Sequence, residues 1–312
     1  MTEKRTYRLG KKLLLFLVIV VGINSVISLW YYKKVAPKTL LYRTDLKYEE
    51  NKSTTNTLFV GHSRAQLGIN DSLFDNTVNI ASYGENNVYT YYKLNKILND
   101  PNNKIQTVII PNGFGSFSSL KNPAICDHTY WNKYIDYAEL GGNHDDRERY
   151  VSELVQSKLF PYVRTIQKGI NKKFKFDGRE KLTLHQLKTE QEKVAYATKA
   201  ITVNFINRNC YDDVAYAYLQ KTIRLCEAKK VNVITVKYPI TSYYFAAVKS
   251  VMGENDWNHE RFDSLINSQN YRMFDFEDLY FERDDLFKDT HHLNKFGQKE
   301  FSKIIKENLY PL

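Results

Sequence analysis

The chain has 312 residues, enough for one large domain or two small ones, and 43% of them are apolar, as in an ordinary globular core. A net charge of +10 raises the question of nucleic acid. The lysines and arginines are scattered, however, with no arginine-rich block or nucleic-acid-binding motif, so the charge reads as surface and membrane-proximal solvation and no nucleic-acid partner is expected. Cys126, Cys210 and Cys226 form no Cys-x-x-Cys pair and allow at most one disulfide. The seven histidines show no zinc-ligand spacing, and Gly113-Phe114-Gly115 lacks the third glycine of a dinucleotide turn. Neither a metal nor a cofactor is expected.

In chain order, residues 1–12 form a basic tail carrying Lys4, Arg5, Arg8, Lys11 and Lys12. Leu13 to Leu29 is then an almost continuous apolar run, extended by Trp30, Tyr31 and Tyr32, and long enough to cross a bilayer as a helix. Asn24, Ser25 and Ser28 are tolerable there because a helix satisfies its own backbone polar groups. A cleaved signal peptide is the competing reading. It wants a shorter stretch and small residues at the cleavage site, whereas Trp-Tyr-Tyr-Lys-Lys follows here. The expectation is an uncleaved, single-pass anchor over 13–32 in the cell (inner) membrane, with the N-terminus cytoplasmic and the remainder outside, although Lys33, Lys34 and Lys38 weaken the charge asymmetry. Residues 33–55, polar and charged, suit a tether.

The remainder, 56–312, reads as alternating strands and helices. Strands are expected at Asn56–Val60, Thr77–Ala81, Lys104–Pro111, Val231–Tyr238 and Tyr271–Phe276. Helices are expected after the turn at Tyr83–Asn87 through Asn99, at Ala215–Lys230, and as an amphipathic closing segment over Asn294–Tyr310. Parallel strands need crossovers, so this pattern implies an α/β fold of three layers, αβα, with about five parallel strands. Residues 116–212 are too long for one crossover and form a helical insertion, with helices at Tyr150–Leu159 and Leu182–Phe205. A lid over the site and plain structural elaboration are equally open for it.

In such sheets ligands bind beyond the carboxyl ends of the strands. Ser63, Gly84, Asn112 and the loop Asp289–His292 all fall just after strand ends. A serine hydroxyl, an imidazole to take its proton and a carboxylate to orient that imidazole are the inventory of serine-based acyl chemistry. Within Asp289-Thr290-His291-His292-Leu293, the residue types alone do not separate His291 from His292 as the base.

The blocks Gly61-His62-Ser63, Asn79-Ile80-Ala81-Ser82-Tyr83-Gly84, Ile109-Ile110-Pro111-Asn112-Gly113 and Asp289-Thr290-His291-His292-Leu293 occur in the order and spacing of the SGNH (GDSL-type) hydrolase superfamily, which this chain resembles from Asn56 to Tyr310. The likeness points to its membrane-anchored extracytoplasmic branch, with proteins of polysaccharide O-acetylation and D-alanyl-lipoteichoic acid synthesis. The resemblance implies a flavodoxin-like sheet with Ser63 as nucleophile, His292 as base and Asp289 as its partner. It also implies an oxyanion hole made by the Ser63 N–H, the Gly84 N–H and the Asn112 side chain. His62 stands where the family has aspartate; it could bind substrate or be structural. Arg64 could meet a phosphate or carboxylate of the substrate, or lie in an ordinary salt bridge.

The function so implied is a membrane-anchored serine esterase or O-acyltransferase acting on ester-linked acyl groups of a cell-envelope glycan, and the resemblance suggests a multi-pass membrane O-acyltransferase as the partner that would feed a transferase. The 24 Tyr and 17 Phe could supply platforms for sugar rings, or simply reflect composition. Two alternatives stand beside it: a lipid or small-ester hydrolase, and a non-catalytic envelope scaffold that keeps the fold.

Overall fold

Five short runs, four of them carrying Val, Ile, Leu or Thr and the fifth reading Arg-Met-Phe-Asp, make the main sheet of the computed structural model, which describes residues 2–113, 116, 128–131, 133–135, 159–163, 184, 187, 189–202, 213–252 and 271–310. The chain divides into two compact units, Met1–Arg43 with Asp127–Gly178, and Thr44–Cys126 with Arg179–Leu312. The insertion is thus shared: residues 127–178 fall in the unit of the N-terminal helix, and its two ends, 116–126 and 179–212, in the unit of the sheet.

In the first unit, α1 (Thr2–Trp30) runs on through a π-helical turn at Tyr31–Val35 and a 3-10 turn at Ala36–Lys38. The span Thr6–Lys38 is long and apolar enough to cross a membrane. Its side chains from Leu13 to Val21 stand exposed. The expected tether is helical over much of its length, since α2 occupies Leu40–Asn51.

The second unit holds β1 (Thr57–Phe59), α3 (Ser63–Gly68), β2 (Thr77–Asn79), α4 (Asn87–Leu98) and β3 (Thr107–Asn112). After α5 (His128–Trp131), which belongs to the first unit, come α6 (Glu190–Ile201), α7 (Asp213–Ala228), β4 (Asn232–Lys237), α8 (Ser242–Met252), β5 (Arg272–Asp275), the hairpin β6 (Phe287–Asp289) and β7 (His292–Leu293), and α9 (Lys295–Leu309). The helix expected at Tyr150–Leu159 lies outside the described residues except for Leu159. The one expected at Leu182–Phe205 is shorter, beginning where Thr189 and Glu192 form a capping box. Helix α8 had no counterpart in the sequence reading.

All five strands are parallel, in the order β2-β1-β3-β4-β5, with Leu58 opposite Val78 and Val108, and Ile109 opposite Ile234. This is the doubly wound order, whose connections reverse direction between β1 and β3. Successive side chains of a strand face opposite sides, so Leu58, Val60, Val108, Ile110 and Val233 pack on Leu94 and Ile97 of α4 and Leu219 and Ile223 of α7. On the other face, Phe59, Ile109, Ile234 and Val236 pack with Ala65 of α3 and Phe301 and Ile305 of α9. The layers are therefore αβα. A smaller cluster joins Ala197 and Ile201 of α6 to Tyr244, Ala247 and Val248 of α8.

Leu58 is fully buried at the centre of the sheet. Leu58→Ala should lower stability by about 2–5 kcal/mol through lost transfer and a residual cavity, against a few tenths of a kcal/mol for Lys229→Ala on the surface. Urea unfolding midpoints of the detergent-solubilised chain measure both.

Candidate active site

The turn that carries Ser63 leaves β1 at a left-handed glycine. Gly61 has φ of +92°, and a Cβ there would lie 2.4 Å from Pro111 Cγ, so no other residue fits without moving β3. Pro111 is itself tolerable in a central strand for a related reason. Its missing N–H faces the β1 side, where pairing has ended at Val60 N to Ile109 O, while the β3–β4 ladder continues to Asn112. His62 then caps α3, its Nδ1 accepting from Arg64 N at 3.3 Å, and Ser63 stands as the first residue of that helix.

The late motif forms a tight hairpin. Asp289 of β6 and His292 of β7 are paired across the turn Thr290-His291, which brings carboxylate and imidazole together although they are three residues apart. His292 Nδ1 donates to Asp289 Oδ2 at 2.9 Å and Oδ1 at 3.0 Å, and the His291 N–H donates to Oδ1 at 3.1 Å. On the far side of the ring, His292 Nε2 accepts from Ser63 Oγ at 2.8 Å. Burial works against the Asp289 charge, but the His292 hydrogen bond, the two neighbouring imidazoles and the His291 N–H outweigh it and hold the carboxyl well below its usual range. Ionised, it fixes the tautomer that leaves Nε2 free to take a proton.

His291 is placed differently. Its ring stacks on Tyr244 of α8 with centroids 4.7 Å apart, and burial, His292 and Arg64 outweigh Asp289 to lower its pKa to about 3. It is a neutral supporting ring. Thr290 carries the other support: its carbonyl accepts from Thr241 N at 3.1 Å and Thr241 Oγ1 at 2.8 Å, pinning the hairpin to the loop after β4. By spacing alone Asp289, His291 and His292 could hold a metal ion, their ligand atoms lying within 4.8 Å of one another. An ion bound through His292 Nδ1 would break the Asp289–His292 hydrogen bond.

Of the other site residues expected from sequence, Gly84 has φ of +75° and follows Tyr83, whose exposed ring lies 6.2 Å from that of His292. Asn112 is buried at the end of β3, with its amide nitrogen 3.4 Å from Met273 Sδ, a weak acceptor. Arg64 is buried with its guanidinium against Gly113, where a Cβ would lie 3.3 Å from Nη1. The His62 ring is held neutral by burial first, then by Arg64, His292 and His291. The structure thus brings Ser63, Asp289 and His292 into direct contact, sets the Gly84 turn beside them, and turns Arg64 inward.

A buried ion pair that the sequence did not reveal braces the two early turns. Lys93 Nζ of α4 donates to Glu85 Oε2 at 2.6 Å, Ile80 O at 2.7 Å and Ser82 Oγ at 3.3 Å, with both side chains almost inaccessible. Glu85 also accepts from Thr90 Oγ1 at 2.8 Å and from the Gly61 N–H, and Ser82 N donates to Gly61 O at 2.8 Å. Burial pushes the Glu85 carboxyl upward while Lys93, Thr90 and Gly61 hold it down. The only signal in the sequence is a lysine on the apolar side of α4, beside Leu94 and Ile97.

No protein-family model and no curated protein sequence matches the chain. Among solved structures it is similar to a GDSL-like lipase from Bacteroides thetaiotaomicron, at 10% identity and TM-score 0.40, over 86% of this chain and 98% of that one. It is also similar to a candidate acylhydrolase from Bacteroides fragilis, at 10% identity and TM-score 0.39, over 85% and 96%. Overlap this loose assigns neither a family nor an activity.

Two expectations follow. Glu85→Gln should cost roughly 3–5 kcal/mol, because it leaves Lys93 buried without its counter-ion, whereas Glu85→Gln with Lys93→Met should recover part of that loss; thermal unfolding of the three chains measures it. The second concerns pH. A histidine in the unfolded chain titrates near its ordinary 6.5, but folded His291 does so only near 3, so the unfolded state binds more protons in between. Stability is therefore full above the unfolded value and falls with pH below it, by up to about 1.4 kcal/mol per pH unit for each such histidine. His291→Gln should flatten this slope in urea titrations between neutral pH and the carboxylate range. An unchanged slope would show that His291 is not held neutral.

Proposed function

We propose that the chain is a membrane-anchored serine esterase or O-acyltransferase of the SGNH type, acting on ester-linked acyl groups of a cell-envelope glycan. The observation that carries this reading is the continuous relay from Asp289 through His292 to Ser63 Oγ at 2.8 Å. In this reading Ser63 Oγ attacks the ester carbonyl as His292 Nε2 takes its proton. Asp289 stabilises the resulting imidazolium, and the oxyanion is met by the N–H groups of Ser63 and Gly84 and by the Asn112 amide, which a developing charge would draw from the Met273 thioether. Collapse expels the alcohol, protonated by His292, and leaves an acyl-Ser63. His292 then deprotonates water or an acceptor hydroxyl, which attacks the acyl carbon and restores Ser63.

Transfer beats hydrolysis when an acceptor hydroxyl is held at the acyl-serine, because a positioned group outcompetes bulk water by orders of magnitude in effective concentration. Tyr83 supports a glycan acceptor: it is 59% exposed beside His292 and offers a flat face to the C–H surface of a sugar ring. Anchored by Leu13–Tyr32 with its N-terminus in the cytoplasm, the enzyme would stay beside a membrane-borne acyl donor, such as a multi-pass membrane O-acyltransferase.

Ser63→Ala and His292→Ala should each lower ester turnover by at least about 10,000-fold, and Ser63→Ala should abolish labelling by a fluorophosphonate probe. His291→Ala should keep most activity. A wild-type chain that neither labels nor turns over activated esters would be a scaffold. With an activated acyl ester and envelope glycan, acylated glycan identifies a transferase; free acid alone, at a rate indifferent to glycan, identifies an esterase of lipids or small esters.

A further inference from the structure

We propose that Leu159–Val163, within the insertion, is a second membrane contact that enters the outer half of the bilayer alongside α1. The proposal rests on reading Leu13–Tyr32 as a membrane span. At about 1.5 Å per residue that span is about 30 Å long, the thickness of a hydrocarbon core. Asn24 interrupts it six residues before Trp30 and eight before Tyr32, and so lies about 9–12 Å below the interfacial aromatics. A carboxamide at that depth needs partners for both its ends.

Both partners come from one short segment. Asn24 Nδ2 donates to Leu159 O at 2.7 Å, and Asn24 Oδ1 accepts from Tyr162 Oη at 2.7 Å. These two bonds set the segment's depth, since whatever they hold lies level with Asn24. The segment suits lipid in its own right. Leu159 is 53% and Phe160 39% exposed, while Pro161 is buried. In sequence, Leu159-Phe160-Pro161-Tyr162-Val163 carries no charge and is bounded by Lys158 and Arg164, the pattern of an apolar tip between anionic headgroups.

Residues 128–131 and 133–135 of the same unit have the opposite character. Tyr130 packs edge-on to Tyr42 with centroids 5.4 Å apart and against Trp131 at 4.9 Å, and Lys133 Nζ lies over the rings of Tyr130, Tyr42 and Tyr134 at 4.3, 4.9 and 5.0 Å. Aromatic rings carrying a cation suit the headgroup level. Within this unit, one part of the insertion fits the interface and the other the acyl chains.

The test uses the full chain in lipid nanodiscs, with Cys126→Ser and Cys210→Ser and the buried Cys226 retained. A polarity-sensitive NBD probe is placed by Phe160→Cys, or by Leu159→Cys should the first variant misfold, and by Lys229→Cys as a surface control. The expected result is blue-shifted emission from position 160, quenching by doxyl-labelled lipid, and several-fold weaker quenching by iodide than at position 229. Iodide quenching equal to the control, without quenching by doxyl lipid, would overturn the proposal while leaving the anchor reading intact if carbonate extraction still retains the chain in membranes. Protection from both quenchers would mean that protein, not lipid, covers the segment, and would overturn it too. Release of the full chain by carbonate would overturn the anchor reading itself, and the proposal with it.

Discussion

The hydrogen bond between Ser63 Oγ and His292 Nε2 joins residues 229 positions apart, and each side of it is held by a different part of the fold. Ser63 is placed by the end of β1, where the connections of the doubly wound sheet change direction and adjacent loops splay apart. His292 is placed by a hairpin that belongs to no strand of that sheet. The hairpin is located by Thr241 beyond β4, by Tyr244 of α8, and by α9, whose first turn is capped by Asn294 Oδ1 accepting from Phe296 N and Gly297 N at 2.9 and 3.0 Å. A shift of about 1 Å in either support would open the contact, so its length depends on how rigidly the strand ends are tied.

Those ties are polar, and burial makes them costly to disturb. Asn79, at the end of β2, accepts from Ala81 N at 3.1 Å and donates from its amide to Ala65 O and Ile69 O at 3.0 and 3.2 Å, so one side chain links β2 to the last turn of α3. The Glu85–Lys93 pair does the same for the turns of Gly61 and Gly84. Removing two charges from water is expensive, and a buried pair of this kind seldom adds much net stability over an apolar one. Its value lies in geometry. Apolar contacts slide, whereas a lysine with three fixed acceptors holds Ile80, Ser82 and Glu85 in one arrangement.

The central strands were legible because β1, β3 and β4 are short runs of mostly buried apolar residues, and the order of motifs along the chain was enough to draw Ser63, Asp289 and His292 together. Nearer detail escaped for identifiable reasons. Lys93 reads as a solvated position in any hydrophobicity pattern, since nothing local reveals a glutamate eight residues earlier folding back to meet it. Helix α8, Ser-Tyr-Tyr-Phe-Ala-Ala-Val-Lys-Ser-Val-Met, mixes aromatic and β-branched residues that favour strands, and packing on α6 decides its state. The hairpin of Asp289 and His292 is three residues against two, below the length at which alternation can be recognised. The division of the insertion between two units depends on contacts with the N-terminal helix, which no local pattern encodes.

In the proposed reading, His62 bears on the electrostatics of Ser63 as nucleophile. The resembling family has an aspartate next to its serine; here a neutral imidazole occupies that position, its pKa pushed well down by burial and by Arg64. Two anionic charges beside Ser63 would oppose the negative charge that develops on a tetrahedral oxyanion, and only Asp289 remains. Arg64 is buried with its guanidinium against Gly113 and within electrostatic reach of Glu277, whose own carboxyl is pushed up by burial and drawn down by Arg64. In that reading a neutral His62 and a cationic Arg64 would both favour an oxyanion at Ser63, where a preorganised charge acts more strongly than in water. The same burial bears on the substrate contact expected of Arg64, since a guanidinium packed against Gly113 would have to leave that contact to meet a phosphate or carboxylate.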